Sequence, residues 1–201
     1  MTESRPYHHG DLRAALVRAG LEIVEREGHE AVSLRDLARD LGVSRSAPYR
    51  HYVDRKGLLT AIAAEGFKAL TARYDEVLTG SLSPQEKAKA VNRAYLALAV
   101  ERPRLFQLMF ESDVLDQDAL PGDLAARANM PLRPLWALTA AARPDADQKQ
   151  VKARAVAVWA ALHGFAALRR SGKLTPPMIE PLSEEDLTDA FLDFISEIRP
   201  S

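Results

Sequence analysis

Three observations predict an all-α fold. Apolar residues recur at helical spacing along nearly the whole chain, Pro, Gly and capping residues punctuate those stretches, and nothing alternates with period two for long enough to make a sheet. With 201 residues, 47% of them hydrophobic, the chain is long enough to bury a core as one large or two small domains. No internal repeat or low-complexity segment interrupts this pattern.

Residues 1–9 read as a polar arm. A helix follows from Asp11 to Glu27, with Leu12, Leu16, Ala19, Leu21 and Ile23 on its apolar side and Gly28 to stop it. Ser33 is a good N-cap for a second helix, Asp36 completing the cap, and Leu34, Leu37, Ala38 and Leu41 supply its buried face. Gly42 permits a C-cap, and Ser44 at once caps another helix. A stop at Gly and a restart two residues later is helix-turn-helix spacing. Pro48 falls at the fourth position of this third helix, so its missing N–H costs less than the roughly 3 kcal/mol of a mid-helix proline, and the expectation is a short helix with a loose first turn. Asp54 then caps a long fourth helix, to about Leu78, whose inward residues are Leu58, Leu59, Ile62, Phe67 and Leu70.

Gly80-Ser81 marks the joint, dividing the chain into 1–56 with a connecting helix over 54–79, and 80–201. Ser83, Pro84 and Glu86 start a helix to about Arg102 as N-cap, first-turn proline and capping-box partner. Pro103 opens the apolar segment LFQLMF, Asp113 to Asp123 reads as a loop, and Leu124 to Ala142 as one or two helices bent at Pro131 and Pro134. A long helix runs from about Asp147 to Ser171 and stops at Gly172. Pro176, Pro177 and Pro181 make a rigid crossing, and Ser183 with Asp186 starts the last helix, apolar at Leu187, Phe191, Phe194, Ile195 and Ile198.

Composition narrows the chemistry. The absence of cysteine excludes disulfides, thiolate metal sites and cysteine nucleophiles. No apolar run approaches the roughly 18–20 residues of a membrane span, and the N-terminus lacks the apolar core of a secretion signal, so the expectation is a soluble, cytoplasmic protein without a membrane partner. A formal net charge of −1 rules out a generic polyanion binder, so nucleic-acid contact needs a local patch. Ser44 to Lys56 is such a patch: Arg45, Arg50, Arg55 and Lys56 stand against Asp54 alone, a net of +3. Arg45, Ser46 and Ala47 occupy the first turn, which faces base edges when such a helix enters the major groove. An Arg there bonds O6 and N7 of guanine, and an Ala methyl suits the thymine methyl. Tyr49, Arg50 and His51 reach phosphates, and Ser33 and Ser44 add hydroxyls at helix starts.

These residues resemble the DNA-binding domain of the tetracycline-repressor (TetR) family over roughly residues 8–67. The resemblance rests on Leu37-Ala38, Gly42-Val43-Ser44, Tyr49-Arg50-His51-Tyr52, Arg55 and Leu58-Leu59. It implies that Arg35, Arg45, Ser46, Ala47, Tyr49, Arg50, His51 and Arg55 occupy DNA-contacting positions, with Tyr49, His51 and Arg55 on phosphates. Ser46-Ala47-Pro48 departs from the commoner Gly-Thr-Leu, and Arg55 stands where a lysine is usual. Trp159 to Gly164, W-x-x-x-H-G, is similar to the Trp-His-Gly type of TetR ligand domain, and Tyr7-His8-His9-Gly10-Asp11 is common in the same branch. The resemblance implies a homodimer through the last two long helices, with preceding helices around a small-molecule cavity.

The dimer has support in the residues themselves. Ala153, Ala157, Ala160, Gly164 and Ala167 recur at helical spacing, and the last helix has more apolar surface than one partner needs. Tyr95, Phe106, Met109, Phe110, Trp136, Trp159 and His163 are the candidate ligand-binding residues; as a stripe they equally suit a plain core. His8, His9 and Asp11 would make only a loose metal set on an arm, so neither a metal nor a cofactor is expected.

The expected function is a one-component regulator: a repressor on a palindromic operator in double-stranded DNA, released by a small-molecule effector. No paired carboxylates, activated nucleophile or phosphate loop supports the rival, an all-α small-molecule enzyme. A protein-binding adaptor using the basic helix is the other alternative.

Overall fold

The computed structural model describes residues 12–114 and 132–197. The N-terminal arm with His8, His9 and Asp11, the segment with Leu124 and Pro131, and Ile198 lie outside the described residues. Among the described residues all regular structure is helical: α1 (Leu12–Glu27), α2 (Leu34–Asp40), α3 (Arg55–Thr79), α4 (Pro84–Glu101), α5 (Pro103–Phe110), α6 (Leu132–Ala142), α7 (Gln148–Arg170), α8 (Pro176–Ile179) and α9 (Glu184–Glu197), with 3-10 turns at His29–Ala31 and Pro48–Arg50. The chain forms two compact units, the first holding residues 12–67 and 102–114, the second 68–101 and 132–197.

In the first unit, α1 buries Leu12, Ala15, Leu16, Gly20 and Val24. Leu21 and Ile23 are only half-buried, which turns the seam away from the one read in the sequence. The strict four-residue step through Gly20 decides it, because α3 lies against that step. The α5 helix, formed by the LFQLMF segment, also packs on α1, with Leu105, Phe106, Leu108 and Met109 buried. Gly66 of α3 is the point of closest approach: a Cβ there would overlap Met109 Sδ and lie 3.2 Å from Leu105 Cδ2. Phe110 meets Phe67 edge-on at 5.4 Å and Phe106 at 4.8 Å. Such edge and tilted pairs add to the area that the rings bury.

Caps set the helix ends of the second unit. Ser83 N donates to Glu86 Oε2 at 2.8 Å while Glu86 N donates to Ser83 Oγ at 3.3 Å, and Ser183 with Asp186 repeats the arrangement at 3.0 and 3.1 Å. Asp147 and Gln150 form a further capping box on α7, at 3.0 and 2.7 Å. Each cap stabilises its helix by about 1 kcal/mol. The serine hydroxyl and backbone hydrogen bonds hold the Glu86 and Asp186 carboxyls below their ordinary pKa values. Helices α6 and α7 pack on each other and on α4, and α9 packs on α4. Their core is built by Tyr74, Tyr95, Leu98, Leu135, Leu162, Leu192 and Ile195.

One expectation is corrected here. Helix α7 has the length and apolar composition of a membrane span, although only a third of its most apolar window is buried. Alanine and valine together produce this signal, and the helix packs on α4 and α6 with Val151, Ala155, Val158, Leu162, Phe165 and Ala166 buried.

Candidate nucleic-acid interface and cavity

The turn after α2 is fixed by backbone hydrogen bonds. Val43 N donates to Ala38 O at 2.9 Å and Gly42 N to Arg39 O at 3.1 Å, with Gly42 at φ +67°, so α2 ends in a Schellman motif that only glycine enters without strain. At the other end Ser33 Oγ accepts from Asp36 N at 3.3 Å. That occupies the Ser33 hydroxyl as a cap.

The expected third α-helix is absent. Ala47 N bonds Ser44 O at 2.9 Å, Arg50 N bonds Ala47 O at 3.2 Å and His51 N bonds Pro48 O at 3.0 Å, giving two successive turns and a 3-10 segment over Pro48–Arg50. Pro48 has no N–H to give Ser44 O, so the first four-residue hydrogen bond is missing and the chain tightens to a three-residue repeat. Pro48 is also buried, and its turn packs on α1 and α2. Tyr52, buried as well, closes the underside, its hydroxyl 3.5 Å from Arg13 O.

With Pro48 and Tyr52 inward, the remaining side chains turn to solvent. Arg35, Ser44, Arg45, Ser46 and Arg50 are exposed, Tyr49 is 54% exposed, and Ala47 and His51 are half-buried. Ser44 and Ser46 hydroxyls lie 3.3 Å apart. Val53, 90% exposed beside this surface, was not picked out from the sequence, because a lone valine carries no charge or spacing signal. Arg39 is committed elsewhere: Asp40 and Asp36 bracket its guanidinium and raise its pKa. Arg55 Nε donates to Val32 O at 2.9 Å and Arg55 Nη2 to His29 O at 2.6 Å, so its guanidinium ties the start of α3 to the 3-10 turn before α2. Asp54 Oδ1 caps the same helix by accepting from Gly57 N at 2.8 Å.

The candidate ligand residues fall into two groups. Phe106, Met109 and Phe110 belong to the first unit, among the contacts of α5 with α1 and α3. Tyr95, Trp136, Trp159 and His163 belong to the second. Within it, Tyr95 Oη and His163 Nδ1 are 3.0 Å apart and the His163 ring sits 5.9 Å from that of Trp159. Lys152 lies 6.0 Å over the Trp136 ring, and both indole Nε1 atoms are buried without a hydrogen-bond partner among the described residues. Burial with Tyr95 nearby raises the Tyr74 pKa, so its phenol stays neutral.

None of those seven lines the half-open cavity of about 730 Å³ between α4, α6, α7 and α9 in the second unit. Its polar lining comes from Asn92, Thr139, Arg143 and Arg154, its apolar wall from Leu135, Leu138, Val158 and Ile195. Sequence reading did not single out the two arginines because it searched for aromatic groups; Arg154, flanked by Ala153 and Ala155, was the available signal. Among the described residues no group of three or more His, Asp or Glu is placed to hold a metal ion.

Two family profiles match this chain. That of the tetracyclin repressor-like C-terminal domain covers residues 88–195, and that of the bacterial regulatory proteins of the tetR family covers residues 16–62. An HTH-type transcriptional regulator of Mycobacterium tuberculosis is 29% identical over 119 residues, 58% of this chain and 51% of its own length. The chain thus spans about half the length of the curated relatives it matches. A solved structure of a protein of unknown function from Rhodococcus sp. RHA1 superposes with TM-score 0.77 at 28% identity, over 96% of this chain and 97% of that one. A TetR/AcrR-family transcriptional regulator from Thermobifida fusca shares the fold, with TM-score 0.67 at 16% identity over 93% and 97%.

Proposed function

The chain belongs to the tetracycline-repressor family, and from that premise we propose that it is a homodimeric transcription regulator which binds operator DNA in the cytoplasm and is released by a small-molecule effector. The observation that carries the reading is the solvent-facing group Arg45, Ser46, Tyr49 and Arg50, held out by the buried Pro48 and Tyr52 in a chain of net charge −1. Residues 1–56 read DNA, the helix over 54–79 connects, and residues 80–201 bind effector and dimerise. Arg45, Ser46 and Ala47 face bases, Arg35, Ser44, Tyr49, Arg50 and His51 grip phosphates, and Arg55 adds its charge while clamping the turn beneath. Ser33 contributes as the cap that aims the N-terminus of α2.

The dimer forms through α7 and α9. Ala153, Ala157, Ala160 and Gly164 lie exposed along α7, with Val156 and Leu168 beside them and Phe194 of α9 62% exposed. A second copy covers this apolar stripe, and two reading heads then meet half-sites about 34–36 Å apart, or a multiple of that, on a palindrome. An effector that prefers a conformation with mismatched heads lowers operator affinity, and by linkage operator DNA lowers effector affinity by the same factor.

A mobility-shift titration against the DNA flanking the gene tests the reading. Binding is expected at a discrete palindromic site, weakening linearly in log salt. Arg45→Ala should cost about 1–3 kcal/mol and relax preference at one position per half-site. Equal affinity for scrambled DNA, or no salt dependence, overturns it.

A further inference from the structure

We propose that the cavity between α4, α6, α7 and α9 binds an organic monoanion, its carboxylate held between Arg143 and Arg154 and its apolar body lying on Leu135, Leu138, Val158 and Ile195. This rests on the regulator reading only in making that anion the effector. At about 730 Å³ the space suits a small organic molecule. Two guanidinium groups line it, and no Asp or Glu does so among the described residues. Burial and the neighbouring Arg143 charge both lower the Arg154 pKa, so the site holds positive charge at an energetic cost that an anion relieves.

Asn92 is an independent pointer. It is 4% exposed, it lines the cavity, and its Oδ1 is buried without a hydrogen-bond partner among the described residues. A buried amide oxygen left without a donor is unfavourable, and a ligand hydroxyl or N–H donating to it restores the loss. Arg154 also donates to Ile195 O at 3.2 Å and Ser196 O at 3.4 Å. That role at the end of α9 explains Arg154, yet neither Arg143 nor Asn92. It also gives the anion a lever, since a carboxylate drawing on the same guanidinium competes with the carbonyls that seat α9, one of the two proposed dimer helices.

Calorimetric titration of the full chain with octanoate and with 1-octanol tests this, because the two probes share an apolar body and differ in charge. Octanoate is expected to bind saturably and at least tenfold more tightly than the alcohol. Arg143→Gln should weaken octanoate about ten- to a hundredfold and leave octanol unchanged. Asn92→Asp, which keeps the shape and adds a repelling charge, should do the same, so the proposal stays testable if one variant does not fold. Absence of octanoate binding, equal binding of the two probes, or wild-type octanoate affinity in the folded variants overturns it. A mobility shift in parallel separates the failures: a protein that shifts operator DNA but ignores octanoate sinks this inference alone, whereas one that binds octanoate as stated but no DNA sinks the regulator reading.

Discussion

Replacing Arg55 with alanine removes a clamp as well as a charge. The guanidinium holds two carbonyls, Val32 O at 2.9 Å and His29 O at 2.6 Å, and all three groups are part-buried. A hydrogen bond from an ionised donor contributes roughly 1.5–3 kcal/mol, and partial access of water to the freed carbonyls puts each at the low end, so the loss should be about 3 kcal/mol. That is a large share of the roughly 5–15 kcal/mol typical of a domain. With a urea m value of about 2 kcal/mol/M, the unfolding midpoint should fall by about 1.5 M, read by circular dichroism. Arg55→Lys keeps the charge but cannot span both carbonyls from one point, so it should recover less than half of the loss. The same two variants separate stability from DNA contact. If Arg55 also meets a phosphate, Arg55→Ala lowers the salt slope by about one per subunit and Arg55→Lys restores it. An unchanged urea midpoint for Arg55→Ala would refute the clamp.

Gly66→Ala should cost about 1–3 kcal/mol by overpacking Met109 and Leu105, measured by thermal unfolding, and shortening Met109 to Ala in the same chain should recover part of it. Phe194→Asp should turn the dimer into a monomer in analytical ultracentrifugation and abolish cooperative operator binding; a dimer that survives would move the interface off α9. For Glu86 and Asp186, the folded pKa values lie below the ordinary 4.5 and 3.8. Their contribution is therefore complete above about pH 4.5 and is lost as pH falls through the lower folded values. Ser83→Ala and Ser183→Ala should accordingly destabilise most near neutral pH, with the gap to the parent narrowing in acid; a gap that widens in acid would reverse the assignment.

Capping residues were the most legible part of the chain. Ser33, Ser83, Asp54 and Ser183 each stand where sequence placed them, and Gly42 makes the turn assigned to it, because a cap is a contact among residues at most a few positions apart. Pro48 shows the limit of local reasoning. Its missing N–H was legible, but whether the following residues recover an α-helix or tighten to 3-10 depends on how deeply the ring is buried against α1 and α2. Arg55 was legible as a cation beside the reading segment; its hold on the His29 and Val32 carbonyls spans more than twenty residues and left no periodic trace.

Sequence by itself therefore determined the helical class and most helix ends, which follow from short-range hydrogen bonding and from the period of apolar residues, while its motifs carried the resemblance to the family. It did not place the third helix, where Ser44 caps no α-helix. Tertiary structure alone decided that LFQLMF packs as α5 on α1, that Phe106, Met109 and Phe110 share a unit with the reading head, and that Asn92, Arg143 and Arg154 converge on one cavity. Those three residues stand 51 and 11 positions apart along the chain, Asn92 on α4, Arg143 just past the end of α6 and Arg154 on α7. Their meeting depends on how α4, α6 and α7 cross, which close packing of many side chains sets together and no single stretch encodes.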